Sequence, residues 1–110
     1  MRKLSIFVLL AIWASLLNAQ WVQTNGPVGG DIRCFAVSGT DLFAGTFGGV
    51  FLSTNNGTSW TAVNTGLTNT DVRALAVSPN GTGGTNLFAG TYGGVFLSTN
   101  NGTSWTAVNT

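Results

Sequence analysis

LFAGTFGGVFLSTNNGTSWTAVNT occupies residues 42–65, and LFAGTYGGVFLSTNNGTSWTAVNT occupies residues 87–110. Twenty-three of the 24 positions agree, and the single difference is Phe47 against Tyr92. Upstream, DIRCFAVS (31–38) matches DVRALAVS (71–78) at five of eight positions. The stretch joining these pieces is three residues long in the first copy, 39–41, and eight in the second, 79–86. Asp31 and Asp71 therefore lie 40 residues apart, whereas Trp60 and Trp105 lie 45 apart. Self-similarity at about 40–50 residues points to propeller blades or solenoid units.

Each repeat holds four short strand-like runs. In the second copy they fall at Val72–Ser78, Asn86–Thr91, Gly94–Thr99 and Ser104–Val108, bounded by Gly, Asn, Pro and Thr clusters. Tyr92-Gly93-Gly94 would turn the second run into the third. Asn101-Gly102 would turn the third into the fourth, because both residues tolerate positive φ. No 3.6-residue period runs through residues 20–110, so four antiparallel strands per repeat favour an all-β propeller blade over a β-helix coil. The runs are apolar on both faces: Val95 and Leu97 point one way and Phe96 the other. A lone sheet with two apolar faces would aggregate, whereas a sheet stacked between two others buries both.

The rest of the chain is read from this frame. Residues 31–70 form the first expected blade and 71–110 the second. Trp21 precedes Asp31 by ten residues, as Trp60 precedes Asp71 by eleven. Residues 20–30, with Trp21–Thr24 as the strand, are therefore expected to be the outer closing strand of a blade that the chain lacks. Two blades and a spare strand make an incomplete ring, since closed propellers have typically four to eight blades. The expectation is a piece of a longer protein, with further blades in the same chain or supplied by a homo-oligomer.

Arg2 and Lys3 precede an apolar run from Leu4 to Leu17 that is interrupted only by Ser5 and Ser15. Bilayer-spanning helices need about 20 apolar residues, and this run is shorter. With Leu17-Asn18-Ala19 at its end, the segment 1–19 reads as a secretory signal peptide cut before Gln20. An uncleaved anchor is the alternative. The expected location is secreted, periplasmic or cell-surface, with no membrane contact after cleavage.

Composition removes whole classes of chemistry. Only 6% of the 110 residues are charged, against about 25% in an ordinary soluble domain. There is no His and no Glu, and the only acids are Asp31, Asp41 and Asp71. A His-based triad, a His or Cys/His metal site and a Glu-dependent acid/base pair are excluded for this single chain. Beyond residue 19 there is no Lys, which excludes a Schiff-base or phosphate-loop lysine. The formal net charge of +1 is too small for a nucleic-acid footprint. Lone Cys34 excludes an internal disulfide framework; it could pair with another chain, but it aligns with Ala74, so a small buried slot is the expectation. No catalytic residue, metal ligand or cofactor site is expected. Asn56, Asn80 and Asn101 each open an N-x-Thr sequon, but the Gly that follows each is explained by turn chemistry alone.

SerThrAsnAsnGlyThrSerTrp at 53–60 and again at 98–105 resembles the Asp-box, or BNR, repeat S-x-D-x-G-x-T-W. That repeat occurs in sialidases, xyloglucan-cleaving hydrolases, sortilin-type receptors and photosystem-assembly-factor-like propellers. The resemblance covers essentially all of 21–110 and specifies the repeat type, not the function. It implies a folded turn between third and fourth strands, remote from any active site, carried by Ser53, Asn55, Gly57 and Trp60 and by Ser98, Asn100, Gly102 and Trp105. Asn55 and Asn100 stand where the family usually has Asp. Asn makes the same side-chain-to-backbone turn bond but weakens any case for acid chemistry or cation binding.

The candidate ligand-binding residues lie on the other rim. Asp31 and Arg33, like Asp71 and Arg73, sit two apart at the start of the first strand and would project from one face. They could form a repeated ion pair or an anchor between blades. The loop carrying Phe47 or Tyr92 would share their rim, and aromatic faces beside carboxylate and guanidinium groups suit sugar or peptide recognition. Sialidase-like catalysis uses an Arg cluster, a Tyr nucleophile and acidic partners, and residues 20–110 supply two Arg, one Tyr and no Glu. A xyloglucan-type hydrolase needs two nonequivalent carboxyls, whereas Asp31 and Asp71 are repeat-equivalent. The expected role is a noncatalytic interaction or glycan-contact platform. Two alternatives stand beside it: the N-terminal piece of a secreted glycoside hydrolase with catalytic residues in later blades, and a two-blade lectin that oligomerises into a closed ring.

Overall fold

The computed structural model describes residues 26–27 and 31–109. The expected signal peptide and the closing strand at Trp21–Thr24 lie outside the described residues. Eight strands follow one another: β1 (Ile32–Ser38), β2 (Asp41–Thr46), β3 (Gly49–Ser53), β4 (Thr61–Ala62), β5 (Val72–Pro79), β6 (Thr85–Thr91), β7 (Gly94–Ser98) and β8 (Thr106–Ala107). They form two four-stranded antiparallel sheets, ordered β1-β2-β3-β4 and β5-β6-β7-β8. No helix occurs among the described residues.

The registers repeat as the sequence does. Ala36, Phe43 and Leu52 sit opposite one another on β1, β2 and β3, and Ala76, Phe88 and Leu97 do the same in the second sheet. Directly opposed residues share a face, so Cys34, Ala36, Phe43, Gly45, Val50 and Leu52 line one side of the first sheet. That side packs on the face of the second sheet built from Val72, Leu75, Val77, Leu87, Ala89 and Phe96. Gly45 is required at the contact: a Cβ there would collide with the Cys34 thiol and Val72. The core therefore lies between the sheets, and Leu67 and Trp105 close it.

Trp105 fixes the link between the two sheets. Its indole Nε1 donates to the Val63 carbonyl at 2.7 Å, and its backbone N–H donates to the Thr65 carbonyl at 2.9 Å. Gly66, at φ 86°, passes so close to the Trp105 backbone that no side chain fits there.

The fourth strands are shorter than the sequence pattern predicts. β8 spans Thr106–Ala107 rather than Ser104–Val108. The Ser104 and Trp105 amides are spent elsewhere, on the Asn100 side chain and on Thr65. At the other end, Val95 N–H donates to the Asn109 side-chain Oδ1 at 2.6 Å, so a side chain replaces the next backbone rung. Asn64 does the same for Val50 at 2.7 Å. The β7–β8 connection is correspondingly a folded turn over 99–105 and not a two-residue hairpin.

Candidate functional site

The two ends of the sheets differ chemically. At one end, the first strands begin and the β2–β3 and β6–β7 turns fold back. Arg33 and Arg73 each occupy a register shift, between Ile32 and Cys34 and between Val72 and Ala74. Such a bulge bends a strand and re-aims one side chain. Each guanidinium consequently lies over an aromatic ring: Arg33 Cζ is 5.5 Å from the Phe47 centroid, and Arg73 Cζ is 5.0 Å from the Tyr92 centroid. These distances fall within cation–π range.

Asp71 ties the two copies together. Its carboxylate accepts from Arg33 Nη1 at 2.7 Å and from Arg73 Nη2 at 3.1 Å. Arg33 also reaches Asp31, at 3.5 Å. The anchor between sheets that the sequence suggests is thus present, and it runs from Arg33 to Asp71. The geometry differs from the expectation in one respect. Asp31 and Asp71 precede their strands, and the bulge breaks the simple alternation, so bulge geometry rather than a period of two brings each pair together. A backbone bond from Tyr92 N–H to the Asp71 carbonyl, 3.0 Å, fixes the second aromatic turn against the strand entrance. Phe47 is 58% exposed and Tyr92 75%, so guanidinium stacking leaves much of each ring open to solvent.

The opposite end carries the Asn turns. Buried Ser53 Oγ accepts from Gly57 N–H at 2.7 Å and donates to Asn55 Oδ1 at 2.9 Å. Asn55 Oδ1 also accepts from Ser59 N–H at 3.0 Å, and its Nδ2 donates to Ser59 Oγ at 2.9 Å. Ser98, Asn100, Gly102 and Ser104 reproduce the set, with Gly102 N–H to Ser98 Oγ at 2.8 Å. Asn56 and Asn101 hold φ of 60° and 57°, and Gly57 and Gly102 hold 87° and 85°. The amide is suited to this turn because it both accepts from the backbone and donates to a hydroxyl, where a carboxylate only accepts.

Sequence reasoning missed one feature at this end. A polar cleft of about 440 Å³ opens between Ser38–Asp41, the Asn80–Thr85 loop and Thr99–Asn101. Its walls are bridged by the Ser38 and Thr85 hydroxyls, 2.9 Å apart. The unequal links 39–41 and 79–86 were the available signal. The cleft offers Asn and Thr side chains and the single carboxylate of Asp41, a hydrogen-bonding lining without a second acid for proton transfer. Among the described residues no three of His, Cys, Asp and Glu lie together as a metal site would require. Cys34 is half-buried against the core, and burial pushes its thiol above the usual range, partly offset by a bond from the Gly45 backbone. A thiol in that state is a poor nucleophile.

Comparison with family models, curated proteins and solved structures gives no match for this chain. Function therefore has to be argued from these two ends alone.

Proposed function

We propose that the two sheets are neighbouring blades of an exported β-propeller of Asp-box type, and that the chain acts as a noncatalytic contact platform for a glycan or protein ligand. The observation that carries the contact surface is the pair of exposed aromatic rings, Phe47 and Tyr92, each backed by an arginine on the same edge. An aromatic face held in place by a cation, next to a carboxylate acceptor, provides stacking and hydrogen bonding for a sugar ring. The Asp-box turns are structural in this reading: their polar groups are consumed by one another.

A glycan array probed with the purified chain tests the proposal. Binding that falls about tenfold or more in Tyr92→Ala and in Phe47→Ala, with the far-ultraviolet circular dichroism unchanged, is the expected result. Binding unaffected by both substitutions removes this rim as the contact surface. A purified chain that cleaves a glycosidic substrate would favour the hydrolase alternative instead.

A further inference from the structure

From Asp31 to Thr65 and from Asp71 to Thr110 the two copies differ in length at one place only. That place is the link before the second strand, 39–41 in one copy and 79–86 in the other. Both links line the polar cleft. The residue that ends each link differs as well. It is Asp41 in the first copy and Asn86 in the second, each directly before the near-identical block. The departures from repeat symmetry thus converge on one cavity, and they bring a charge to it.

Asp41 lies on the face of β2 that looks toward the second sheet. It stands opposite Ser38 and shares its face, and the Ser38 hydroxyl is 2.9 Å from that of Thr85 on β6. Phe43 and Gly45 continue this face into the core. The half-buried carboxylate therefore sits where the two sheets begin to part. No cation accompanies it: the ion pairs among the described residues all belong to Asp31, Arg33, Asp71 and Arg73 at the other end. The facing wall is preformed. Asn80 Oδ1 accepts from the Thr82 N–H and hydroxyl, both at 2.9 Å, and from Gly84 N–H at 3.1 Å. Asn80 N–H donates to the Gly84 carbonyl at 3.0 Å. A loop already tied in this way costs little to order on binding.

We propose that this cleft binds a cationic amino sugar, with the ammonium on Asp41 and the sugar hydroxyls on the surrounding amides and hydroxyls. The lining selects that class. Every lining residue is Ser, Thr, Asn, Asp or Gly, so an apolar ligand, or the methylene stem of an alkylamine, finds no apolar wall. The one charge is negative, which disfavours an anion. A volume of about 440 Å³ is of small-molecule size, and one carboxylate is too little for a calcium-type cage of about six to eight oxygens. Amides and hydroxyls both donate and accept, as sugar hydroxyls do. An ammonium supplies the charge-assisted partner that the carboxylate lacks. The site is at the opposite end from Phe47 and Tyr92 and does not depend on them.

Nitrogen-15 NMR titration of the purified chain with glucosamine disaccharide, its N-acetylated form and cellobiose tests this, beside the Asp41→Asn variant. That substitution installs the amide that the other copy carries at Asn86, opposite Ser78 as Asp41 is opposite Ser38, so the fold should persist. Far-ultraviolet circular dichroism checks that it does. The free amine should bind about tenfold or more tightly than either neutral sugar, with shifts at 38–41, 80–85 and 99–101. Asp41→Asn should erase that preference, and added salt should weaken the amine alone. An unchanged spectrum up to tens of millimolar glucosamine disaccharide overturns the proposal. So does equal binding of all three sugars, or amine binding that survives Asp41→Asn. Shifts confined to Phe47, Tyr92 and their neighbours would overturn the cleft site and leave the aromatic rim as the contact surface.

Discussion

The first and second sheets share 23 of 24 residues across their second, third and fourth strands, yet one valine in them is sealed and its twin is wet. Trp105 completes the core and has two bonds to the preceding link, whereas Trp60 lies beside Phe35 with ring centroids 6.4 Å apart, and its buried indole N–H has no acceptor among the described residues. The residues do not differ, so burial is a property of what stands next to the repeat. A repeat of this kind stores its stability in nearest-neighbour contacts as much as in its own strands.

The sharpest way to break that comparison is to truncate both tryptophans. Trp105→Ala should destabilise the chain by roughly 3–5 kcal/mol, the usual cost of emptying a buried aromatic site. Trp60→Ala should cost only about 1–2 kcal/mol, because less apolar area is lost. Urea unfolding followed by circular dichroism would show the gap, and equal costs would mean that the two environments are not different in solution. A second pair tests the opposite property. The Asn turns are closed circuits within one repeat, so Ser53→Ala and Ser98→Ala should each cost about 1–3 kcal/mol. The two values should agree within about 0.5 kcal/mol, and a wide difference would show that neighbours reach the turns as well. The smallest contrast is at the aromatic rim. Arg33 bridges the sheets through Asp71, whereas Arg73 pairs within its own sheet. Arg33→Ala should cost about 0.5–1 kcal/mol and Arg73→Ala less, with the difference fading in high salt.

The four strands of each repeat and the Asn turns were legible because each depends on residues close in sequence. Asn101-Gly102 announces positive φ, and the run around Phe96 announces a strand with two apolar faces, of which the Phe96 face is buried and Val95 on the other is 40% exposed. The bulges at Arg33 and Arg73 were not legible, because an extra residue in one strand is defined only by its partner strand. The Trp105–Val63 bond and the cleft between 38–41 and 80–85 depend on the approach of one sheet to another, which no local pattern encodes. The rim was half legible. Its Asp, Arg and aromatic residues were placed at one end from the sequence, but the stacking of each arginine on its ring follows from the bulge.

The bond from Gly57 and Gly102 amides to the buried serines has a chemical consequence beyond stability. Asn-Gly pairs age by attack of the glycine backbone nitrogen on the asparagine side-chain amide carbon, which expels ammonia to give a succinimide that water then opens to isoaspartate or aspartate. In Asn56-Gly57 and Asn101-Gly102 that nitrogen is held by Ser53 or Ser98 at 2.7 and 2.8 Å. The same hydroxyl that folds the turn thus slows its molecular clock, and a chain rich in short-lived dipeptides gains durability from two serine side chains.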